Sequence, residues 1–130
     1  MIGPEEVDRA DVVAAVRAEF EAYEAALVDG DHEALDGAFW ASASTVRFGV
    51  ADRQDGIDEI RRWRATQGPL VGRALSGTRI LALADDVAVV TTVFRYPTSE
   101  AEGRQTQVWA RLPEGWRVVS AHVSQVPFEG

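Results

Sequence analysis

Three side chains in this sequence can do chemistry without a metal or a thiol: the Tyr23 phenol, the Arg47 guanidinium and the His122 imidazole. Tyr23 can donate a proton or orient a hydrogen-bond partner. Arg47 can hold a carboxylate or stabilise developing negative charge. His122 can act as a neutral general base. Each also has a plain structural alternative: a core aromatic with a satisfied hydroxyl, a solvated or ion-paired arginine, and a hydrogen-bonding core histidine. His122 and Ser124 share one strand face about 7 Å apart, too far for a ready nucleophile–base pair. No strand carboxylate is at hand to orient the histidine, so a serine-hydrolase triad is not expected. His32 opens a short helix and reads as solvated. No HxH or HExxH spacing occurs, so no metal site is expected. Neither glycine-rich nucleotide fingerprint is present, and no cofactor is expected.

These residues sit on a recognisable order of elements. A helix is predicted over 8–28, capped by Asp8 or Asp11, with Val16, Phe20, Tyr23 and Leu27 on one apolar stripe and Gly30 as its stop. Asp31 starts a second short helix, with Leu35, Ala38 and Phe39 inward. Residues 44–48 read as a strand, 57–66 as a third helix, and 71–84, 87–96, 104–112 and 116–126 as four strands in a meander, the first bent at Gly77. Helices are segregated from a mostly antiparallel sheet, which is the α+β class. A curved sheet wrapped around the long N-terminal helix would enclose one pocket. The last hairpin has two possible registers. A three-residue loop over 113–115 sets His122 opposite Thr106 and Ser124 opposite Arg104, whereas a two-residue loop sets His122 opposite Gln107.

The strand interiors contain seven arginines (Arg47, Arg73, Arg79, Arg95, Arg104, Arg111, Arg117) and no Asp or Glu. An arginine within an apolar strand is costly to bury alone. Either these face solvent or a partner sheet, or pair with helix acids such as Glu19 and Glu24, or some converge in the pocket to grip a carboxylate-rich ligand. Arg47, between Val46 and Phe48, is the foremost candidate, followed by Arg95 and Arg73, with Arg64 able to reach inward from its helix. Trp40, Gln107 and Ser124 complete the binding candidates. Gln105 and Gln107 alternate beside Trp109, as a polar cavity wall or as part of a partner interface.

Composition bounds the function. The chain has 130 residues, a net charge of −8, and no Cys or Lys. It reads as a single domain over 1–130. The first 36 residues hold eleven acids against two arginines, and the remainder ten against eleven. Net acidity argues against nucleic acid as a partner. No apolar run is long enough for a membrane span, and the polar, acidic N-terminus does not read as a signal peptide, so a cytoplasmic location is expected.

The sequence also resembles a known group. Gly115-Trp116-Arg117-Val118-Val119 leading to His122-Val123-Ser124 is similar to the ending of the SnoaL-like, nuclear-transport-factor-two-like superfamily. Five stretches resemble the AtzH-like and HpxZ-like family in particular. They are Tyr23-Glu24-x-Ala26-Leu27, Leu35…Phe39-Trp40, Thr45-Val46-Arg47-Phe48-Gly49, Gly56-Ile57-x-x-Ile60-Arg61-x-x-Arg64-Ala65 and Gly103-Arg104-Gln105-Thr106-Gln107-x-Trp109. The likeness runs from about residue 12 to 126. It implies a cone-shaped, cystatin-like roll, a cytoplasmic homodimer through the sheet, and a place beside amidases in ureide and cyanuric-acid breakdown. The activity it implies is decarboxylating hydrolysis of small carboxylated ureas, with the family's Tyr and Arg falling on Tyr23 and Arg47. Two departures bear on the substrate: Asp52 and Asp55 stand where relatives tend to have Glu and Tyr, and Gln67-Gly68 where a further Arg is common.

Two functions follow as expectations. One is an amidohydrolase on a small di-anionic urea, with Arg47 and Arg95 or Arg73 as clamps, Tyr23 as proton donor, and water activated by His122 or by the substrate. The other is a non-catalytic anion-binding protein or accessory partner of an amidase. An isomerase or dehydratase of the ketosteroid-isomerase type would need an acidic base from the sheet, and the predicted strands have none.

Overall fold

The computed structural model describes residues 1–127. Helix α1 spans Ala10–Asp29, and Val12, Val16, Phe20, Tyr23 and Leu27 are buried along it, the stripe its spacing predicts. It starts two residues later than expected, because Asp8 does not cap it. Asp8 sits at φ 55, its amide donates to the Ala82 carbonyl (2.7 Å) and its carboxylate accepts from the Ala82 amide (2.9 Å). The helix entry is thereby pinned to a strand. Gly30, at φ 70, ends α1 in the left-handed conformation that glycine adopts freely. Asp31 caps α2 (His32–Ala38) by accepting from the Ala34 amide.

Six strands form one sheet in the order β2-β1-β6-β5-β4-β3. They are β1 (Val46–Phe48), β2 (Arg53–Asp55), β3 (Ala74–Ala84), β4 (Val87–Arg95), β5 (Ala101–Leu112) and β6 (Gly115–Pro127). Helix α3 (Ile57–Arg64) follows β2 and is shorter than the predicted 57–66. All pairings are antiparallel except β1 with β6. Gly77, at φ 61, lies in the β3 irregularity between Ser76 and Arg79, as its place in the strand predicts. β2 has no strand signature, since Arg-Gln-Asp is poor in β-formers. β5 begins three residues before the predicted 104, so the sheet is not free of acids. Glu102 bridges Arg95 (3.0 Å) and Arg104 (2.9 Å).

The β5–β6 hairpin combines the two expected registers. Its turn is the two-residue kind, pairing Leu112 with Gly115. A bulge at Val119 then shifts the ladder by one, restoring His122 opposite Thr106 and Ser124 opposite Arg104. The bulge also reverses side-chain parity. Trp116 and Val118 point into the core before it, and Ala121 does so after it.

The core lies between α1 and the concave face of the sheet. Trp109, 0 % exposed, meets the Tyr23 ring edge-on at 6.4 Å. The sheet's outer face carries Val89 and Val93 with Leu81 and Phe48, whereas Trp109 and Trp116 face the core because they share the inward parity of Gln107 and Val118. At Gly103 any Cβ would run into the Phe94 ring on the neighbouring strand. Gly103→Ala is therefore expected to destabilise the fold by about 1–3 kcal/mol through overpacking, read as a lowered thermal midpoint. Among the described residues no helix is long and apolar enough to cross a membrane.

Candidate functional site

The roll encloses a cavity of about 210 Å³ between α1, α3, the β1–β2 turn and the concave face of β5 and β6. Tyr23, Arg47, Arg64, Arg73 and Gln107 line it, together with Asp52, Trp63, Phe94, Tyr96 and Gln105. Tyr23 is only 6 % exposed and comes from the inward stripe of α1. Its hydroxyl makes no hydrogen bond among the described residues, and its ring packs against Phe39 and Trp109.

The three arginines differ in how they are held. Arg73 donates from Nε to Glu24 Oε1 (2.8 Å), from Nη1 to the Tyr96 hydroxyl (3.0 Å) and from Nη2 to Gln105 Oε1 (3.1 Å). Its Cζ lies 4.1 Å from the Phe94 ring centre. Burial works against its charge, but Glu24 and the Tyr96 hydroxyl outweigh that and leave its pKa above the ordinary arginine value. Gln105 Nε2 in turn donates to Glu24 Oε2 at 3.2 Å. This is the helix-acid pairing that Glu24 offered in the sequence.

Arg47 is stacked 3.6 Å over Trp63 and donates from Nη1 to Asp52 Oδ1 (2.8 Å) and Gln54 Oε1 (2.9 Å). Burial is the largest influence on it and lowers its pKa, with Tyr23 and Asp52 acting in the opposite direction and Arg64 adding to the lowering. It still carries a full charge near neutrality, since guanidinium titrates far above that range. Gly49 leaves room for the Arg47–Asp52 ion pair, because a Cβ there would meet the Asp52 carboxylate and the Arg47 guanidinium.

Arg64 is 3 % exposed and stands at the end of α3, 4.6 Å from the Trp63 ring centre. Its Nε and Nη2 are buried without a hydrogen-bond partner among the described residues. A buried guanidinium edge left unpartnered in this way is costly.

A family model for AtzH-like proteins matches residues 5–128. The chain belongs to the AtzH-like family. This AtzH-like chain is 42% identical to a protein of unknown function from Pectobacterium atrosepticum, with 97% of this chain and 99% of that one covered and a TM-score of 0.94. It is equally 42% identical to a cystatin-like fold protein from Burkholderia xenovorans, covering 95% and 98%, with a TM-score of 0.92. An NTF2-like protein of unknown function from Pseudomonas putida shares the fold at 20% identity, covering 93% and 90%, with a TM-score of 0.75. The comparison with curated proteins returns no match. The α+β roll expected from the order of elements is thus the cystatin-like, NTF2-like fold.

Four candidates do not reach the cavity of the AtzH-like roll. His122 and Ser124 are exposed on the convex face, because the Val119 bulge turns Ala121 and Val123 inward in their place. His122 packs edge-on against Phe48 at 5.7 Å. Arg95 is also outside, on the face opposite Phe94, where it binds Glu102. Trp40 is not a lining residue. Its backbone is tied to β6 through the Val118 carbonyl (2.9 Å) and caps the β1 entry by accepting from the Thr45 hydroxyl (2.8 Å). In the other direction, sequence reasoning connected Asp52 with the substrate only through its loop, not as a partner of Arg47, and did not place Trp63 or Tyr96 at the site. Asp52 had a signal, as a short Arg-x-Gly-x-x-Asp stretch that closes on itself. Trp63 and Tyr96 had none, since each is a lone aromatic beside a turn or helix end.

Proposed function

We propose that the protein binds a small carboxylated urea in this cavity and hydrolyses it with loss of carbon dioxide. The observation that carries this reading is the convergence of Arg47, Arg64 and Arg73 with the Tyr23 hydroxyl on one cavity, a cationic lining suited to a carboxylate. Arg47 and the Tyr23 hydroxyl, which line the same cavity, are two donors for the oxyanion that forms when water adds to the urea carbonyl. Asp52, hydrogen-bonded to Arg47, accepts the proton of that water. Tyr23 gives its proton to the departing nitrogen and regains it from Asp52. Ammonia leaves, and the resulting carbamate loses carbon dioxide. His122 has no part in this scheme. A homodimer through the convex sheet face belongs to the same proposal, supported by Leu81 (42 % exposed) and Phe48 (41 % exposed) on that face.

One observation favours a second reading. Asp52 and Glu24 each already have an arginine partner, so neither is a free base. That arrangement suits a protein that binds the same anion without turnover, as an accessory to an amidase. Tyr23→Phe separates the two. It is expected to keep ligand binding within about threefold and to lower ammonia release by about 10²-fold or more, the usual size of a lost proton donor. His122→Ala is expected to change turnover by less than about twofold, since its side chain touches no lining residue that reacts. Steady-state ammonia assays beside binding titrations check both.

A further inference from the structure

Gln105 and Gln107 alternate on the inward face of β5, and the fold holds them differently. Gln105 is occupied at both ends: its Oε1 accepts from Arg73 Nη2 at 3.1 Å, and its Nε2 donates to Glu24 Oε2 at 3.2 Å. Gln107 is held at one end only. Its Oε1 accepts from Trp109 Nε1 at 3.1 Å. The indole N–H can only donate, so it fixes which end of the amide is oxygen and leaves Nε2 to donate elsewhere. Gln107 is 1 % exposed and lines the cavity, and its Nε2 has no partner among the described residues. That nitrogen is not sealed by protein, in contrast to Nε and Nη2 of Arg64. We infer that Gln107, its amide set by Trp109, donates to an oxygen of the ligand at the end of the cavity floor opposite Arg47.

Sheet register sets that opposition. Ala121 on β6 pairs with Gln107 on one side and with Arg47 on the other. The three stand in one row across the concave face, with Gln107 and Arg47 two strand spacings apart, about 10 Å between backbones. Ala121 is the floor between them, and its methyl leaves space that a larger side chain would fill. A planar urea laid on that floor presents one end to the Arg47 guanidinium and the other to the Gln107 amide. Arg47 supplies charge, and Gln107 a neutral donor. An oxygen at the Gln107 end is paired, whereas an N–H there would meet N–H and leave both groups unsatisfied. The inference rests on the carboxylated-urea reading above. It adds the ligand group that the far wall recognises, an acceptor oxygen, and Trp109 as the positioning residue behind it.

Calorimetric titration of the full chain with hydantoate and carbonyldiglycine, ureas with one and two carboxymethyl arms, tests this. Gln107→Met keeps the length and removes the donor, and is expected to weaken the bound probe by about tenfold. Gln107→Glu keeps the acceptor for Trp109 but sets a second acceptor where the donor stood, so it should weaken binding more, by about a hundredfold. Trp109→Phe frees the amide to turn over and should weaken binding by about threefold or more. If Trp109 acts through Gln107, adding Trp109→Phe to Gln107→Met costs no further affinity, a coupling that a merely structural tryptophan would not show. Thermal melts report whether each variant is folded, and the two Gln107 variants decide the matter if Trp109→Phe is not. Unchanged affinity in both folded Gln107 variants, with a probe still bound by the unmodified protein, would overturn the inference and leave the anion pocket standing. Additive losses from Trp109→Phe and Gln107→Met would overturn the positioning role of Trp109. Failure of both probes to bind the unmodified protein would remove the carboxylated-urea reading and the inference with it.

Discussion

Arg64→Met is expected to abolish ligand binding and to raise the thermal midpoint at the same time. The two effects have one cause. Arg64 is buried at the end of α3 with Nε and Nη2 unpartnered, so the folded protein carries an incompletely compensated charge. A methionine of similar reach keeps the packing against Trp63 and Phe39, which lie 4.6 and 5.9 Å from the guanidinium carbon. Replacing a buried charge with a well-packed apolar side chain typically stabilises by about 1–4 kcal/mol. For a domain of this size that corresponds to a rise of about 4–15 °C. Losing a charge-assisted pair with a ligand costs about 2–5 kcal/mol, a weakening of roughly 30-fold to several thousandfold. A residue kept for stability would show the opposite sign in the melt. Such a trade of stability for function marks a ligand seat.

Glu24→Ala is expected to be among the most damaging single changes in the chain. It leaves Arg73, whose side chain is 4 % exposed, without its carboxylate and without the group that orients Gln105. Breaking a buried pair from one side costs about 3–5 kcal/mol, because the surviving charge stays desolvated. Against a total stability of about 5–15 kcal/mol, that is a large fraction. Urea-denaturation midpoints measure it. Removing both partners, as in Glu24→Leu with Arg73→Met, should recover much of the loss, since no buried charge then remains. A double variant no better than Glu24→Ala would show that the pair matters for shape rather than charge.

Much of the fold was legible because it rests on strong periodic signals. The α1 stripe, the Gly30 stop, the Gly77 irregularity and the alternation of β4 all correspond to features visible in the residues themselves. β2 was not legible, because three polar residues form a strand only when β1 is beside them. The site was half legible for a similar reason. Tyr23, Arg47, Arg64, Arg73 and Gln107 line one cavity; helix stripe and resemblance pointed to Tyr23 and Arg47, whereas the inward face of Arg73 and Gln107 was left open by the residues themselves. His122 and Ser124 do not, because one unpaired residue at Val119 turns the rest of β6 over. A bulge of that kind leaves no mark in the adjacent Val118-Val119 pair, where either valine suits the inward face. The opposite placements of Arg47 and Arg95 have the same origin. Both are arginines in apolar strands, and only the parity of each strand decides which one meets the cavity.

The central claim is that the anion-holding cavity does chemistry. The most direct measurement is ammonia and carbon dioxide release from carboxylated ureas by the purified protein, followed beside the Tyr23→Phe variant. The expected result is release of both products in step by the unmodified protein, with binding but almost no release by the variant. Saturable binding of the same ureas with no release of either product would contradict the claim and leave a binding protein.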